Sequence, residues 1–322
     1  AAKIQILYCS QNNLEELPEE VKNFKAMGLI DLMSNKISKV APFGHDINLV
    51  DCYLDNNKIT SIGRDEDGFF CGIEDIETFS ASYNQMTEMP DIFTSKSRFI
   101  MGSVDFSYNK ISQVENAGTG NYRGLKVSTL TLANNPITVF PKEFSESSSI
   151  VSFFNMRGCF INEVPKEAFE GETMINTTSI DLSYNHLSKL PSSTFNGTHL
   201  PYLYGVDLGY NRFTNFPYEV LDSAYLTVCS LRGQRDSNGN RCLREWPQGI
   251  YQHKGLRGLY LGSNDLRKIS DTISPLIYFL DISDNPNITF DASDICYEWR
   301  MGAYILIYDK TQNIINCDYM LQ

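Results

Sequence analysis

The chain has 322 residues and a formal net charge of −12, with a pI near 4.8. This acidity disfavours nucleic acid or an anionic membrane surface as the main partner, because both are polyanions. The sequence has no run of about eighteen apolar residues, so it predicts no membrane-spanning helix.

One short pattern recurs along most of the chain. The segments Ile180–Pro191 (IDLSYNHLSKLP) and Val206–Pro217 (VDLGYNRFTNFP) are two clear copies, 26 residues apart. When each copy is aligned on the residue that closes its strand-like run, twelve copies appear, spaced by 21 to 30 residues. These twelve anchor residues are Asn12, Asn35, Asn57, Asn84, Asn109, Asn135, Cys159, Asn185, Asn211, Gln234, Asn264 and Asn285.

Apolar residues at fixed distances before the anchor indicate how each copy folds. The positions three and five residues before the anchor are apolar in all twelve copies, which predicts a short strand with one buried face. One such strand buries too little surface alone, so neighbouring copies must stack. The anchor amide can both donate to and accept from backbone groups of adjacent coils, so we expect a buried column of anchors. Cys159 and Gln234 depart from this column.

The full pattern, LxxLxLxxNxL, resembles the leucine-rich-repeat family along essentially the whole chain. An apolar residue followed by Pro recurs after the anchor, as in Leu17-Pro18 and Leu190-Pro191, and marks the bend out of the strand. The resemblance implies an α/β solenoid. We expect a horseshoe with a concave parallel β-sheet of about twelve short strands and a convex side of short helices, 3-10 turns and loops.

The sequence predicts two regions, a repeat array over residues 1–290 and a capping segment over residues 291–322. Within the cap, Ala303–Asn316 (AYILIYDKTQNIIN) alternates as strand, polar turn and strand, which predicts a β-hairpin over the open edge of the last repeat. At the other end, Ile4 already occupies a repeat position. We therefore expect that a signal segment or an upstream domain precedes Ala1.

The eight cysteines divide into two groups. Four occupy core positions of the repeat, where a free thiol behaves as a small hydrophobic side chain; these are Cys9, Cys52, Cys159 and Cys229. The other four lie outside the pattern and could form disulfides; these are Cys71, Cys242, Cys296 and Cys317. Cys296 and Cys317 flank the predicted hairpin, so their bond is one hypothesis, and free thiols are the alternative.

Catalytic and metal-binding motifs are missing from the sequence. The four His residues fall in unrelated repeats, and no HExxH, GxSxG, P-loop or CxxC motif occurs. The insertions around Asp65–Asp67 and Asp236–Asn240 are loosely calcium-like, but neither has the Gly and closing Glu of a calcium loop, which favours solvated turns. We expect no enzyme activity, no cofactor and no metal.

Function is then expected on the solvent-facing side of the sheet. Two positions before the anchor, only Arg157 and Arg232 are cationic, and they occur in the two copies that lack an anchor Asn. Asp and Tyr recur at neighbouring positions, which is also a common filling of this repeat in the family. Tyr is enriched at binding hot spots because it offers a large contact area at low entropy cost. The predicted partner-binding residues are Asn155, Arg157, Asp181, Tyr184, Asp207, Tyr210 and Arg232.

The sequence therefore predicts a monomeric, non-enzymatic module that binds a protein partner through the concave face. Carbohydrate binding is one alternative, and a structural spacer that presents an upstream domain is another. The ending of the chain resembles that of secreted or surface leucine-rich-repeat proteins from bacteria. This resemblance implies an extracellular or cell-envelope location.

Overall fold

The computed structural model describes residues 3–40, 47–63, 76–89, 101–112, 114, 125–141, 148–166, 168–169, 174–269, 273 and 276–317. The chain forms two compact units. Unit 1 comprises residues 1–160 and 167–177, and unit 2 comprises residues 161–166 and 178–322. The division predicted at residue 290 stays a prediction.

Unit 1 is a solenoid of parallel strands that pair in chain order. Residues five positions before successive anchors face one another in the pairing, as Leu7 faces Ile30 and Ile30 faces Cys52. The seven described strands are β1 (Ile6–Tyr8), β2 (Leu29–Asp31), β3 (Asp51–Tyr53), β4 (Thr78–Ser80), β5 (Met101–Asp105), β6 (Leu125–Thr131) and β7 (Ser148–Asn155).

Unit 2 repeats this arrangement with six parallel strands and adds a second, smaller parallel sheet. The six strands are β8 (Ser179–Asp181), β9 (Gly205–Asp207), β10 (Val228–Ser230), β11 (Gly258–Tyr260), β13 (Phe279–Asp281) and β15 (Ile305–Ile307). The smaller sheet contains β12 (Lys268–Ile269), β14 (Thr289–Asp291) and β16 (Asn313–Ile315). The two units thus supply thirteen solenoid strands, against the twelve or so that the repeat predicts, and the predicted solenoid fold is confirmed.

Short elements connect the strands on the opposite side, as expected from coils of this length. Three described connections form 3-10 helices, at Glu19–Asn23, Tyr218–Asp222 and Ile250–Gln252, and helix α1 spans Cys296–Arg300. In the part of the chain that the structure describes, no helix has the length and apolar character needed to cross a bilayer.

From the second copy onward the anchors are buried as the sequence predicts, whereas Asn12 of the first copy is exposed. The Nδ2 of Asn211, for example, donates to the carbonyls of Leu208 (3.0 Å) and, one coil earlier, Leu182 (2.9 Å). Its Oδ1 accepts the N–H of Leu187 at 2.9 Å. Gln234 keeps the bonds to the preceding coil, because its Oε1 accepts the N–H of Phe213 and its Nε2 donates to Leu208. Each buried amide anchor therefore satisfies backbone groups that the turn would leave buried and unpaired.

The residue before each anchor has a left-handed backbone conformation in all twelve copies. Its φ lies between 52° and 69° at Gln11, Ser34, Asn56, Tyr83, Tyr108, Asn134, Gly158, Tyr184, Tyr210, Gly233, Ser263 and Asp284. This residue turns the chain out of the strand so that the anchor side chain points back into the coil. We call these twelve positions the lip residues.

The predicted terminal hairpin is wrong. β15 pairs in parallel with β13, whereas β16 pairs in parallel with β14 in the smaller sheet. The segment is a further solenoid coil, since the chain turns through Asp309–Gln312 instead of reversing on itself. Gln312 takes the anchor role there: its Nε2 donates to Ile282 (2.7 Å) and Asn285 (3.2 Å), while its Oε1 accepts the N–H of Asp309.

Candidate functional site

The side chains that precede each anchor by six, four and two residues form the solvent face of the strands. Residues three and five before the anchor point into the core, so the alternation of the strand fixes which side chains meet solvent. In β2 and β3, for instance, Ile30 and Cys52 are fully buried while their neighbours along the strand are half-buried. We describe this solvent face for each unit separately.

The solvent face of unit 1 contains an open depression of about 800 Å³. It extends over β2 to β5, and we call it the acidic depression. It is lined by Met33, Tyr53, Asp55, Asn56, Thr78, Ser80, Ser82, Tyr83, Ser103 and Asp105.

Asp55 lies at the base of the acidic depression and is only 7% exposed. Its Oδ1 accepts the N–H of Ser82 at 2.9 Å, the hydroxyl of Ser82 at 2.5 Å and the hydroxyl of Ser80. Its Oδ2 makes no hydrogen bond with a described residue. This oxygen is also not among the side-chain atoms that are both shielded from solvent and without a hydrogen-bond partner. This carboxylate oxygen is therefore reachable from the depression.

Asp105 is on the same face, two strands from Asp55. Its Oδ1 accepts the N–H of Ser107 at 2.7 Å. Burial raises the pKa of Asp105, against the lowering effect of its hydrogen bonds to Ser107, and the nearby Asp55 adds to the rise. The carboxylate is thus partly removed from water, and no described residue supplies a cation to compensate it.

Aromatic rings border the acidic depression. Tyr83 and Tyr108 are adjacent lip residues whose rings stack with centroids 4.1 Å apart and planes 8° apart. They stay 53% and 45% exposed. A side-chain hydrogen bond with Tyr108 raises the pKa of Tyr83. The pair offers a rigid, neutral aromatic surface beside the carboxylates.

The seven residues predicted from the sequence fall in both units. In unit 1, Asn155 ends β7, and its Oδ1 accepts the N–H of Arg157 at 2.9 Å. Both side chains are half-buried on the solvent face. Asn155 therefore shapes the turn at the strand end in the same way as the Asp residues of other copies, which is a structural role.

In unit 2, the structure brings the other five predicted residues together. Asp181 and Asp207 face each other in the β8–β9 pairing, and each accepts the N–H two residues later at 2.8 Å. Tyr184 and Tyr210 stack with centroids 4.1 Å apart. The ring of Tyr210 extends over Gly233, where an added Cβ would lie 2.5 Å from the ring.

Arg232 completes this group but is engaged within the protein. Its Nη1 forms an ion pair with Asp281 at 2.8 Å, and the Asp281 side chain is 2% exposed. The Tyr210 hydroxyl also bonds to it, and these partners outweigh the effect of burial, so the pKa of Arg232 is raised. An Arg in this environment stabilises unit 2 by neutralising a buried carboxylate. The sequence identified the group but not this internal partner, because Asp281 lies 49 residues away.

The loop at 235–242 is held by hydrogen bonds among its own residues and by an ion pair to Asp284. Asp236 accepts the N–H groups of Asn238 and Asn240, both at 2.9 Å. These bonds lower the pKa of Asp236. Arg241 binds Asp284 through an ion pair at 2.6 Å. Within the described residues no cluster of three His, Cys, Asp or Glu could hold a metal ion, and the other calcium-like insertion, at residues 64–75, lies outside them.

The cysteines follow the two predicted groups. Cys52, Cys159 and Cys229 are buried and free, Cys9 is free and half-buried, and burial raises the pKa of Cys159 to about 12. Cys296 and Cys317 form a disulfide, with their Cα atoms 5.6 Å apart. Cys242 is free, and Cys71 lies outside the described residues.

Solved structures of similar proteins share this architecture. The chain is similar to a leucine-rich repeat protein from Bacteroides eggerthii DSM 20697, with 41% identity and a TM-score of 0.87 over 98% of this chain. It is also similar to one from Bacteroides thetaiotaomicron VPI-5482, with 38% identity and a TM-score of 0.83 over 95% of this chain. The matched regions span 53% and 37% of those two proteins.

Among characterised proteins, lumican from Rattus norvegicus is 29% identical over 113 residues, which cover 34% of this chain and 32% of lumican. Human lumican is 26% identical over the same length. No family model matches the chain. The anchor column, the parallel solenoid strands and these similarities together establish the chain as a leucine-rich-repeat protein.

Proposed function

We propose that the protein is a non-enzymatic binding module that recognises a protein partner through the solvent face of its strands. The acidic depression is the observation that carries this proposal. It combines an open surface, accessible carboxylate oxygens and exposed Tyr rings, which are the groups that protein interfaces use for anchoring. The residues predicted from the sequence are proposed to contribute within their own units, Asn155 and Arg157 in unit 1 and Asp181, Tyr184, Asp207, Tyr210 and Arg232 in unit 2.

We further propose that the protein acts outside the cytoplasm, on the surface or in the envelope of a bacterium. The Cys296–Cys317 disulfide supports this location, because structural disulfides persist in oxidising compartments. The similar Bacteroides proteins support a bacterial source.

Carbohydrate binding is a second candidate, because Tyr rings with adjacent carboxylates also suit sugar rings. A spacer role is the third, and it requires nothing of the solvent face. Two variants distinguish these possibilities. One carries Tyr53→Ala and Tyr83→Ala in unit 1, and the other carries Arg157→Ala, Tyr184→Ala and Arg232→Ala.

The experiment is affinity capture from host and microbial extracts, with wild type beside both variants and a control with Tyr225→Ala. Tyr225 is 65% exposed and lies off the solvent face. We expect a protein that wild type and the control retain and the unit 1 variant loses. Competition by oligosaccharides would favour carbohydrate binding instead. Identical capture by all four chains would contradict binding through the solvent face.

A further inference from the structure

We propose that the acidic depression takes the guanidinium group of an arginine side chain on an extended segment of the partner protein. The inference rests on the proposed function, and it assigns a chemical class to the group that enters this site. Four observations support it: available acceptors, a lack of local cations, flanking aromatic rings and the size of the depression.

The acceptors are oxygen atoms that the protein leaves unused. Asp55 and Asp105 line the depression, and Asp31 lies beside it on β2. Each of the three uses Oδ1 to accept backbone or hydroxyl hydrogens within the chain. No described residue donates a hydrogen bond to Oδ2 of Asp31 or Asp55, whereas the Ser107 hydroxyl also bonds to the Asp105 carboxylate. For Asp55 this is a nine-tenths buried carboxylate that lines the depression with one oxygen unpaired. A buried acceptor of this kind gains most from a charged donor.

The described solvent face of β1 to β5 carries no Lys, Arg or His to neutralise these carboxylates. Asp31, Asp51, Asp55 and Asp105 all lie on it, and none of them forms an ion pair with a described residue. The contrast with unit 2 is direct, because there Asp281 is paired with Arg232 and Asp284 with Arg241. The described residues of β1 to β5 therefore present negative charge without a paired cation at the depression, which suits a cationic group from another molecule.

The rings favour a flat cation. Tyr53 and Tyr83 both line the depression, and the stack of Tyr83 on Tyr108 fixes one ring plane. A guanidinium group stacks on aromatic faces and donates five hydrogen bonds in a rigid fork, so it can use a ring and more than one carboxylate at once. A Lys ammonium is a compact point charge that cannot do both equally well.

The size of the depression favours a side chain that is part of a longer segment. About 800 Å³ exceeds the volume of one guanidinium group and its stem, and the site is open to solvent along the strands. The threonine and serine hydroxyls at its floor, including Thr78 and Ser103, can bond to the backbone of such a segment.

The test uses three capped tripeptides, glycine–X–glycine, in which X is arginine, lysine or citrulline. Citrulline has nearly the shape of arginine without its charge. Binding is followed by NMR titration of the full chain at millimolar peptide. The variant Asp31→Asn/Asp105→Asn removes two charges from the face while it keeps an oxygen for each internal hydrogen bond. A matched variant, Asp222→Asn/Asp294→Asn, removes two exposed carboxylates elsewhere.

We expect the arginine peptide to bind wild type at least about tenfold more tightly than the citrulline peptide. The Asp31→Asn/Asp105→Asn variant should lose that difference and the matched variant should keep it. Raising the ionic strength should weaken arginine binding, since the site is open to solvent. Equal affinity for arginine and citrulline, the absence of any binding to wild type, or unchanged affinity in the face variant would overturn the inference. Equal affinity for lysine would overturn the assignment to a guanidinium group.

The inference and the proposed function fail in different ways. A partner that Asp31→Asn/Asp105→Asn still captures, but that Tyr53→Ala/Tyr83→Ala loses, would leave the protein-binding function in place and remove the arginine site. If both variants still capture the partner, both the arginine site and binding through the depression are contradicted.

Discussion

Asn211 illustrates how one residue type stabilises a chain of stacked coils. Its side chain is 1% exposed and makes four hydrogen bonds, three as donor and one as acceptor. All four partners are backbone groups at the turn, and two of them belong to the preceding coil. Asn12 has the same place in the first copy, but it is exposed and bonds only to its own turn.

Replacement of Asn211 by Ala should therefore destabilise the protein by about 2–4 kcal/mol, because buried backbone groups lose their partners. Asn12→Ala should cost less than about 1 kcal/mol, since water can replace its bonds. Urea unfolding followed by circular dichroism measures both. Equal costs at the two positions would show that burial of the anchor does not determine its contribution.

At Gly233, both the backbone conformation and a neighbouring ring require glycine. It has a φ of 69°, and a Cβ there would meet the Tyr210 ring at 2.5 Å. Gly239 has a φ of 83° with nothing within 4 Å of its Cβ position. Gly233→Ala should cost about 2–3 kcal/mol and Gly239→Ala about 1 kcal/mol, because only the first adds displacement of a ring to backbone strain. Thermal unfolding of the two variants compares them, and indistinguishable values would refute the contact with Tyr210.

At the scale of strands, the sequence predicted the solenoid well and the functional face less well. Twelve of the thirteen strands follow from apolar residues at two fixed positions, since burial on one side of a strand imposes that alternation. The thirteenth strand, β15, was not predicted because Gln312 replaces the anchor Asn. The buried strand residue Leu306 also precedes this anchor by six residues instead of five, so the segment resembled a hairpin. The ion pair of Arg232 with Asp281 and the open Oδ2 of Asp55 depend on contacts between distant coils. No local pattern encodes such contacts.

Asp105, on the solvent face of β5, should make the folding stability depend on pH. Because burial raises the pKa of Asp105 above its unfolded value, this residue favours folding while it is protonated. That contribution is lost as the pH rises through the folded-state pKa. At neutral pH, Asp105→Asn should thus give a small increase in melting temperature, although the same variant weakens arginine binding in the proposed site.

The difference in melting temperature between wild type and Asp105→Asn should vanish as the pH is lowered and Asp105 becomes protonated. Calorimetry across the acidic range provides the measurement. Asp222→Asn, at an exposed carboxylate, serves as the control and should show no such pH dependence. If Asp105→Asn is less stable than wild type at neutral pH, the charged form of Asp105 is compensated in the folded protein and the argument is wrong.

For the whole molecule, the disulfide fixes the end of the solenoid. Cys296 begins α1 and Cys317 follows β16, so the bond closes a loop of 21 residues that contains β15. The unfolded terminal segment has less conformational freedom with this bond than without it. Since each coil contacts mainly its neighbours, loss of the bond should act locally.

Cys296→Ser/Cys317→Ser should therefore raise amide hydrogen exchange in β15 and β16 while leaving unit 1 unchanged. We expect the free energy of opening of this terminal coil to fall by about 2–4 kcal/mol. Hydrogen exchange with mass spectrometry resolves the segments, and reduction of wild type should reproduce the effect. Uniform loss of protection along the chain would instead indicate that the terminal coil governs global unfolding.

The lip residues imply a limit on which side chains the proposed binding face can carry. Because all twelve positions have a positive φ, β-branched side chains are strongly disfavoured there, and none of the twelve is Val, Ile or Thr. Variation at the lip is thus drawn from Gly, Asn, Asp, Ser, Gln and Tyr, and Tyr is the one member of that set that offers a large apolar surface. We therefore expect diversification of such a surface, in evolution or in a designed library, to proceed mainly by gain and loss of tyrosine. A library with these six residues at the lip should keep its members folded, whereas one that admits valine or isoleucine should lose many of them.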